Sequence, residues 1–194
     1  MGAKLGKGLE YLDLPPIVYY GSSITQGGCC SRPGNCYSNA ISRNLCVDHV
    51  NLGFSGSAKA EPEMCEYLSS LDASVFVCDY DHNTPNAEHL WNTHYRLYET
   101  VRRENPTLPY VMISRPDSRH QDDAPERRRI IMQSFNRALA EGDTNVYFID
   151  GSKFFRGDMW DSCTVDSTHP NDLGFYFMTR KIGRVIASIL DVKQ

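Results

Sequence analysis

Two places in this 194-residue chain carry side chains whose types and spacing could make and break a covalent bond. The first is YYGSSITQGG, Tyr19 to Gly28, where an apolar run ends in a glycine and two adjacent serines. A strand that stops at glycine and turns sharply exposes a single hydroxyl at the edge of its sheet; such a turn can also cradle a phosphate. The second is DSTHPND, Asp166 to Asp172, in which a carboxylate precedes His169 by three residues. One tight turn can then bring the carboxylate onto the imidazole Nδ1, fixing the tautomer and stabilising the imidazolium that forms when Nε2 accepts a proton. A serine, a base and an orienting acid together make a nucleophile for acyl transfer. Four other histidines suit this less well: His49 falls inside a strand pattern, His89 and His94 on a helix, and His120 in a polar loop without an apparent partner.

Positioning these groups requires a rigid frame, and the chain alternates short apolar runs with segments of helical period. Pro16–Tyr20, Cys46–Leu52, Ala73–Asp79, Pro109–Ser114 and Asn145–Asp150 read as five strands rich in Val, Ile, Tyr and Phe and buried on both sides. Ala87, Leu90, Trp91, His94, Tyr95, Tyr98 and Val101 recur at helical steps, as do Met178, Ile182, Val185, Ile186 and Ile189. Further helices are expected near Tyr37–Leu45, Pro62–Leu71 and Pro125–Ala140, with Pro170, Asn171 and Asp172 opening the last one. Strand–helix alternation with right-handed crossovers predicts a five-stranded parallel sheet in a three-layer α/β/α sandwich. In such a sheet ligands gather beyond the carboxyl ends of the strands. Those ends are Gly21-Ser22-Ser23, Gly53 to Gly56, Tyr80 to Asn83, Arg115-Pro116-Asp117 and Gly151-Ser152.

Composition bounds the partners. With 41% hydrophobic and 23% charged residues the chain reads as one domain over 1–194, residues 1–13 being a frayed lead-in from a longer protein. A net charge of −4 gives no support for a nucleic-acid or anionic-membrane surface, and the one basic block, Arg127-Arg128-Arg129, reads as a solvated helix face. There is no apolar run long enough to span a bilayer and no signal-peptide order at the start. Seven cysteines without C-x-x-C spacing indicate buried free thiols, hence a cytoplasmic protein.

The order Gly21-Ser22-Ser23-Ile24, Gly56 in NLGFSGSA, Asn83 in DYDHN, and Asp166-x-x-His169-Pro170 resembles the four blocks of the GDSL-type, or SGNH, serine hydrolases. That resemblance implies a flavodoxin-like fold and ester hydrolysis through an acyl-enzyme, with no metal and no organic cofactor. It makes Ser23 the nucleophile, His169 the base and Asp166 its partner, and it assembles an oxyanion hole from the Ser23 amide, the Gly56 amide and the Asn83 side chain. Three such donors converging at one sheet edge suit an oxygen becoming negative. Ser22 stands where the family has Asp, and Asp81 where it has glycine. Gly53 and Gly56 are both plausible donors on spacing; the serine-glycine pair favours Gly56.

Other chemistries fit less of the chain. A flavin- or phosphate-binding module would use SSITQGG but leaves Asn83, Asp166 and His169 without a role, and no Walker or G-x-G-x-x-G pattern is present. Asp79, Asp81 and His82 are metal donors by type, yet neighbouring strand positions face opposite ways. Within ester chemistry the expected substrate is a small-molecule or carbohydrate ester with a short acyl group, a lysophospholipid, a thioester or acyl transfer being the alternatives. Tyr80, His82, Arg115 and Trp160 are the candidate substrate contacts. Arg115 has two readings, a fork for a polar or anionic substrate group, or an ion pair with Asp81 or Asp117.

Overall fold

The computed structural model describes residues 3–8, 10–116 and 122–192. Its strands are β1 (Ile17–Gly21), β2 (His49–Gly53), β3 (Val75–Asp79), β4 (Tyr110–Ile113) and β5 (Val146–Ile149). All neighbours pair in parallel, in the order β2-β1-β3-β4-β5. The helices are α1 (Ser23–Gln26), α2 (Tyr37–Leu45), α3 (Pro62–Ser69), α4 (Ala87–Glu104), α5 (Ala124–Ala140) and α6 (Asp172–Ile189). The expected sandwich is therefore present.

Strand alternation divides the core in two. Ile17 and Tyr19 of β1, with Val75, Val77, Val111 and Ile113, pack against Ile24, Tyr37, Ile41, Phe175, Met178 and Ile182 from α1, α2 and α6. The opposite-facing Val18, Tyr20, Phe76, Cys78, Tyr110 and Met112 meet side chains of α3, α4 and α5. The inner strands β1, β3 and β4 are wholly buried, whereas the edge strands β2 and β5 are half-buried, because a second neighbour covers only the former. Two expectations change. Trp91 is 57% exposed on the outer side of α4 rather than in its apolar stripe. The second strand starts at His49, because Cys46 ends α2 in the left-handed conformation at φ 53°.

Local chemistry sets the helix starts. The Asn86 side chain accepts the His89 N–H at 2.8 Å to open α4, and Asn171 Oδ1 accepts from Leu173 and Gly174 to open α6. Among the described residues no helix is long and apolar enough to cross a membrane, and all seven cysteines are free thiols. The sheet order changes direction at β1, which lies between β2 and β3, so the segments leaving β1 and β3 open a crevice at their carboxyl ends.

Candidate active site

Ser22 and Ser23 follow β1 into that crevice and take different places. Ser22 is fully buried and caps α1, its Oγ accepting the Ile24 N–H at 3.2 Å, while its own N–H donates to the Asp79 carbonyl. Ser23 is the first helical residue and half-buried, and its Oγ lies 2.9 Å from His169 Nε2. The two serines are thus told apart by the cap: one hydroxyl serves the turn and the other faces an imidazole.

His169 arrives on the connection between β5 and α6. Thr164 and Pro170 form an antiparallel bridge, Val165 N–H donates to the His169 carbonyl at 3.0 Å, and Ser167 takes a left-handed φ of 66°. The resulting tight loop folds Asp166 back: Oδ1 accepts the amides of Thr168 (3.0 Å) and His169 (2.7 Å), and Oδ2 lies 2.7 Å from His169 Nδ1. These bonds from the His169 amide and ring, then Thr168, pull the Asp166 carboxyl down to about 2. It stays ionised wherever an imidazole titrates. The segments bearing Ser23 and His169 are also tied together directly, since Asp172 accepts from Ser31 N–H and Oγ and from Asn35 Nδ2 at 2.5–2.9 Å.

The loop after β2 meets the loop after β3 through one bond, Ala58 N–H to Asn83 Oδ1 at 3.2 Å. Because the carbonyl end of that amide is taken, its NH₂ is the end left to donate. Gly56 lies in an exposed turn at φ +69°, a backbone region that favours glycine. Among the described residues the Ser23 N–H, the Gly56 N–H and Asn83 Nδ2 meet no hydrogen-bond acceptor. Gly53 differs: its N–H already donates to Asn51 Oδ1 at 3.0 Å, and a Cβ there would stand 2.1 Å from Gln26 N. Its smallness lets β2 pack against α1.

The four candidate substrate contacts separate. Tyr80 is 1% exposed, with its hydroxyl 2.9 Å from Thr93 Oγ1 and its ring against Tyr20 and His94, so it belongs to the core beneath α4 and not to the crevice. Arg115 is likewise buried, and the reading of it as a substrate fork is corrected. Its Nε stands 3.5 Å from Asp81 Oδ2, its Nη2 donates to the Asp81 carbonyl and its backbone N–H to Oδ2, with Asp123 at 3.7 Å. Asp117, the other partner considered, and His120 lie outside the described residues. His82 is half-buried beside Asn83; burial, then the positive charges of Arg115, His169 and Arg127, hold its imidazole well below the usual range, so it is neutral. Trp160 is 40% exposed on a short helical turn, Trp160–Ser162, upstream of Asp166.

The basic block also departs from expectation. Arg127 is buried, bridges to Asp123 and donates to the Asp81 and Thr84 carbonyls and to Thr84 Oγ1, holding the turn that presents Asn83. Charge alone placed it in solvent, and only the position of its helix over the Asp81 turn takes it inside. Removing Arg115 leaves Asp81 buried without its cation, and a broken buried pair costs about 3–5 kcal/mol. Arg115→Ala is therefore expected to lower the melting temperature and to damage hydrolysis of p-nitrophenyl acetate and of larger polar esters alike. A raised KM for the polar ester alone, at unchanged melting temperature, would restore the fork.

A cleft of about 360 Å³ runs between Cys29, Ser31, Asn171, Asp172 and Leu173, bordering the segments that carry Ser23 and His169. A larger one, about 550 Å³, lies at the amino ends of β4 and β5 around Tyr98, Arg102 and Asp143, at the opposite edge of the sheet.

Comparison with known proteins bears on the family and the fold. Residues 15–187 match the GDSL-like lipase/acylhydrolase family. A structure described as a GDSL-like lipase from Bacteroides ovatus is 32% identical, with TM-score 0.83 over 92% of this chain and 54% of its own. A salicylyl-acyltransferase from a tetracycline biosynthetic pathway (18% identity, TM-score 0.78, 94% of this chain and 57% of its own) shares the fold. So does a family two carbohydrate esterase from Clostridium thermocellum, solved with cellohexaose (19% identity, TM-score 0.74, 97% and 68%). The chain spans little more than half the length of the first two. No curated protein sequence matches it. Since the family match runs from the residue before the strand-one segment into the last helix and takes in all four sequence blocks, the chain belongs to the GDSL-like lipase/acylhydrolase family.

Proposed function

We propose that this protein is a serine esterase that cleaves short-chain acyl groups, acetyl foremost, from a polar or carbohydrate alcohol. The observation that carries the reading is the continuous contact Ser23 Oγ to His169 Nε2 (2.9 Å) and His169 Nδ1 to Asp166 Oδ2 (2.7 Å). In the proposed reaction His169 takes the Ser23 proton as Oγ attacks the ester carbonyl, then gives it to the departing alcohol, leaving an acyl-Ser23. Water, deprotonated by the same imidazole, releases the acid. The Ser23 and Gly56 amides and Asn83 Nδ2 would hold the oxyanion, each such donor contributing about 3 kcal/mol. His82, neutral and adjacent, and Trp160 are proposed to contact the alcohol part.

The modest size of the cleft beside the site, with Ser31, Asn171 and Asp172 at its wall, supports a short acyl group. Carbohydrate esterases with this fold support the same substrate class. Acyl transfer is the second reading, favoured by the fold shared with an acyltransferase. A phosphate- or flavin-binding role has less to build on, since the Ser22 hydroxyl is already committed to its cap. The test is a panel of p-nitrophenyl esters from acetyl to palmitoyl beside acetylated sugars. The expected result is a kcat/KM for acetyl at least about tenfold above that for palmitoyl, a difference one or two pocket contacts can supply. Preference for the long chain would replace this substrate with a lysophospholipid or thioester, and ester products formed with an added alcohol would establish transfer.

A further inference from the structure

Directly beneath the nucleophile turn lies a carboxyl group that the proposed reaction does not use. Asp79, the last residue of β3, is 1% exposed, and its Oδ2 stands 3.3 Å from Thr25 Oγ1 and 3.3 Å from the Tyr37 hydroxyl. Those two oxygens are 3.1 Å apart, so the three atoms form a closed triangle joining β3, α1 and α2. A carboxylate could accept from both hydroxyls, but that would spend both of their protons and leave the 3.1 Å contact between them without one. An un-ionised carboxyl supplies the third proton. Among the described residues Asp79 Oδ1, also buried, has no hydrogen-bond partner, which is tolerable for the carbonyl oxygen of a neutral acid and costly for an anion.

We infer that Asp79 is an un-ionised carboxylic acid whose proton closes the ring Asp79–Tyr37–Thr25 and so holds the turn that presents Ser23. In that ring Asp79 Oδ2–H donates to Tyr37, Tyr37 O–H to Thr25 Oγ1, and Thr25 O–H back to Oδ2. The Asp79 carbonyl accepts the Ser22 N–H from the same turn, so the backbone and side chain of one residue grip both sides of Ser23. The charged and titratable groups facing the carboxyl agree. Burial and the neighbouring carboxylate of Asp81 push Asp79 well above the usual carboxylate range, and the Tyr37 and Thr25 bonds and Arg115, which is engaged by Asp81, do not offset them. Tyr37 is itself pushed up by burial and by Asp79, with Cys36 and Tyr19 adding to it, and so keeps its proton.

The protonation state is independent of catalysis, whereas the positioning role rests on Ser23 being the nucleophile, and the measurements separate the two. The infrared difference spectrum between the wild-type chain and Asp79→Asn at pH 7 is expected to contain the C=O stretch of an un-ionised acid. Carboxylate bands in its place would overturn the inference. If Asp79→Asn does not fold, the wild-type minus Tyr37→Phe spectrum is expected to show that C=O band displaced, since the acid loses its acceptor; no acid band there is equally fatal. Above the ordinary aspartate range the native chain holds a proton that the unfolded chain releases, so wild-type stability falls as pH rises. The folding equilibrium constant of Asp79→Asn relative to wild type should therefore climb by up to about tenfold per pH unit from pH 5; a flat or falling ratio contradicts it. For positioning, Thr25→Val is expected to lower kcat on p-nitrophenyl acetate about tenfold with KM within about twofold, and Thr25→Ser to restore it. Unchanged kcat in Thr25→Val would sink the positioning role, while a wild-type chain without esterase activity would sink the proposed function and leave the infrared and unfolding results standing.

Discussion

Ser23→Ala is expected to lower kcat toward short-chain esters by about a millionfold, with the fold intact, because a nucleophile acting as a unit with its base loses nearly the whole catalytic contribution when removed. The side chain is half-buried and, among the described residues, bonds only to His169, so far-ultraviolet circular dichroism and melting temperature should stay at wild-type values. A fluorophosphonate probe should label Ser23 in the wild type and nothing in the variant. Ser22→Ala provides the contrast. It removes the bond to the Ile24 amide and with it about 1 kcal/mol of cap stabilisation, so the melting temperature falls while labelling of Ser23 persists. Labelling and turnover retained in Ser23→Ala and lost in Ser22→Ala would exchange the two roles.

Asp166→Asn is expected to reduce kcat by about four orders of magnitude through the tautomer of His169. In the wild type Oδ1 is occupied by two backbone amides and Oδ2 by Nδ1. Asparagine can satisfy the amides only with its carbonyl oxygen, which turns its NH₂ toward Nδ1. Nδ1 must then accept, the ring proton moves to Nε2, and Nε2 can no longer take the Ser23 proton. The loop itself keeps its two amide bonds, so stability should change little. The pH dependence distinguishes the two groups. With its carboxyl held down to about 2, Asp166 remains ionised through the working range, and its contribution to stability is lost progressively as pH falls from the ordinary aspartate range through that value. Activity should decline on acidification with a one-proton slope, because the protonated ring cannot accept the serine proton. A rate that does not fall on acidification, or less than tenfold loss in Asp166→Asn, would remove His169 or Asp166 from these roles.

Much of this site could be read before any fold was available, for reasons particular to each residue. Asp166 and His169 lie close in the chain, so their pairing depends on one tight turn and local spacing reports it. The five apolar runs are strands because they are too short for helices and carry β-branched and aromatic residues, and their alternation with helices leaves few compact topologies. Ser23 and His169 are far apart in sequence, and their meeting was anticipated from the order of four motifs rather than from any pattern in the residues between.

What the chain alone determined was therefore the layered sheet, the turn after its first strand, and the local Asp166–His169 pair, all governed by short-range sterics and hydrophobic period. Tertiary structure decided the rest. Tyr80 and Arg115 follow strand ends as a ligand contact would, yet one goes under α4 and the other against Asp81, because a side chain's face depends on which helix crosses there. Gly53 and Gly56 could not be separated by spacing, and the Asn51 side chain separates them by occupying one amide. Arg127 looked solvated and is buried for the turn it holds. Asp79, unremarkable as the last residue of a strand, acquires its proton only where α1 and α2 close over it, since desolvation is a property of the assembled neighbourhood and not of the residue.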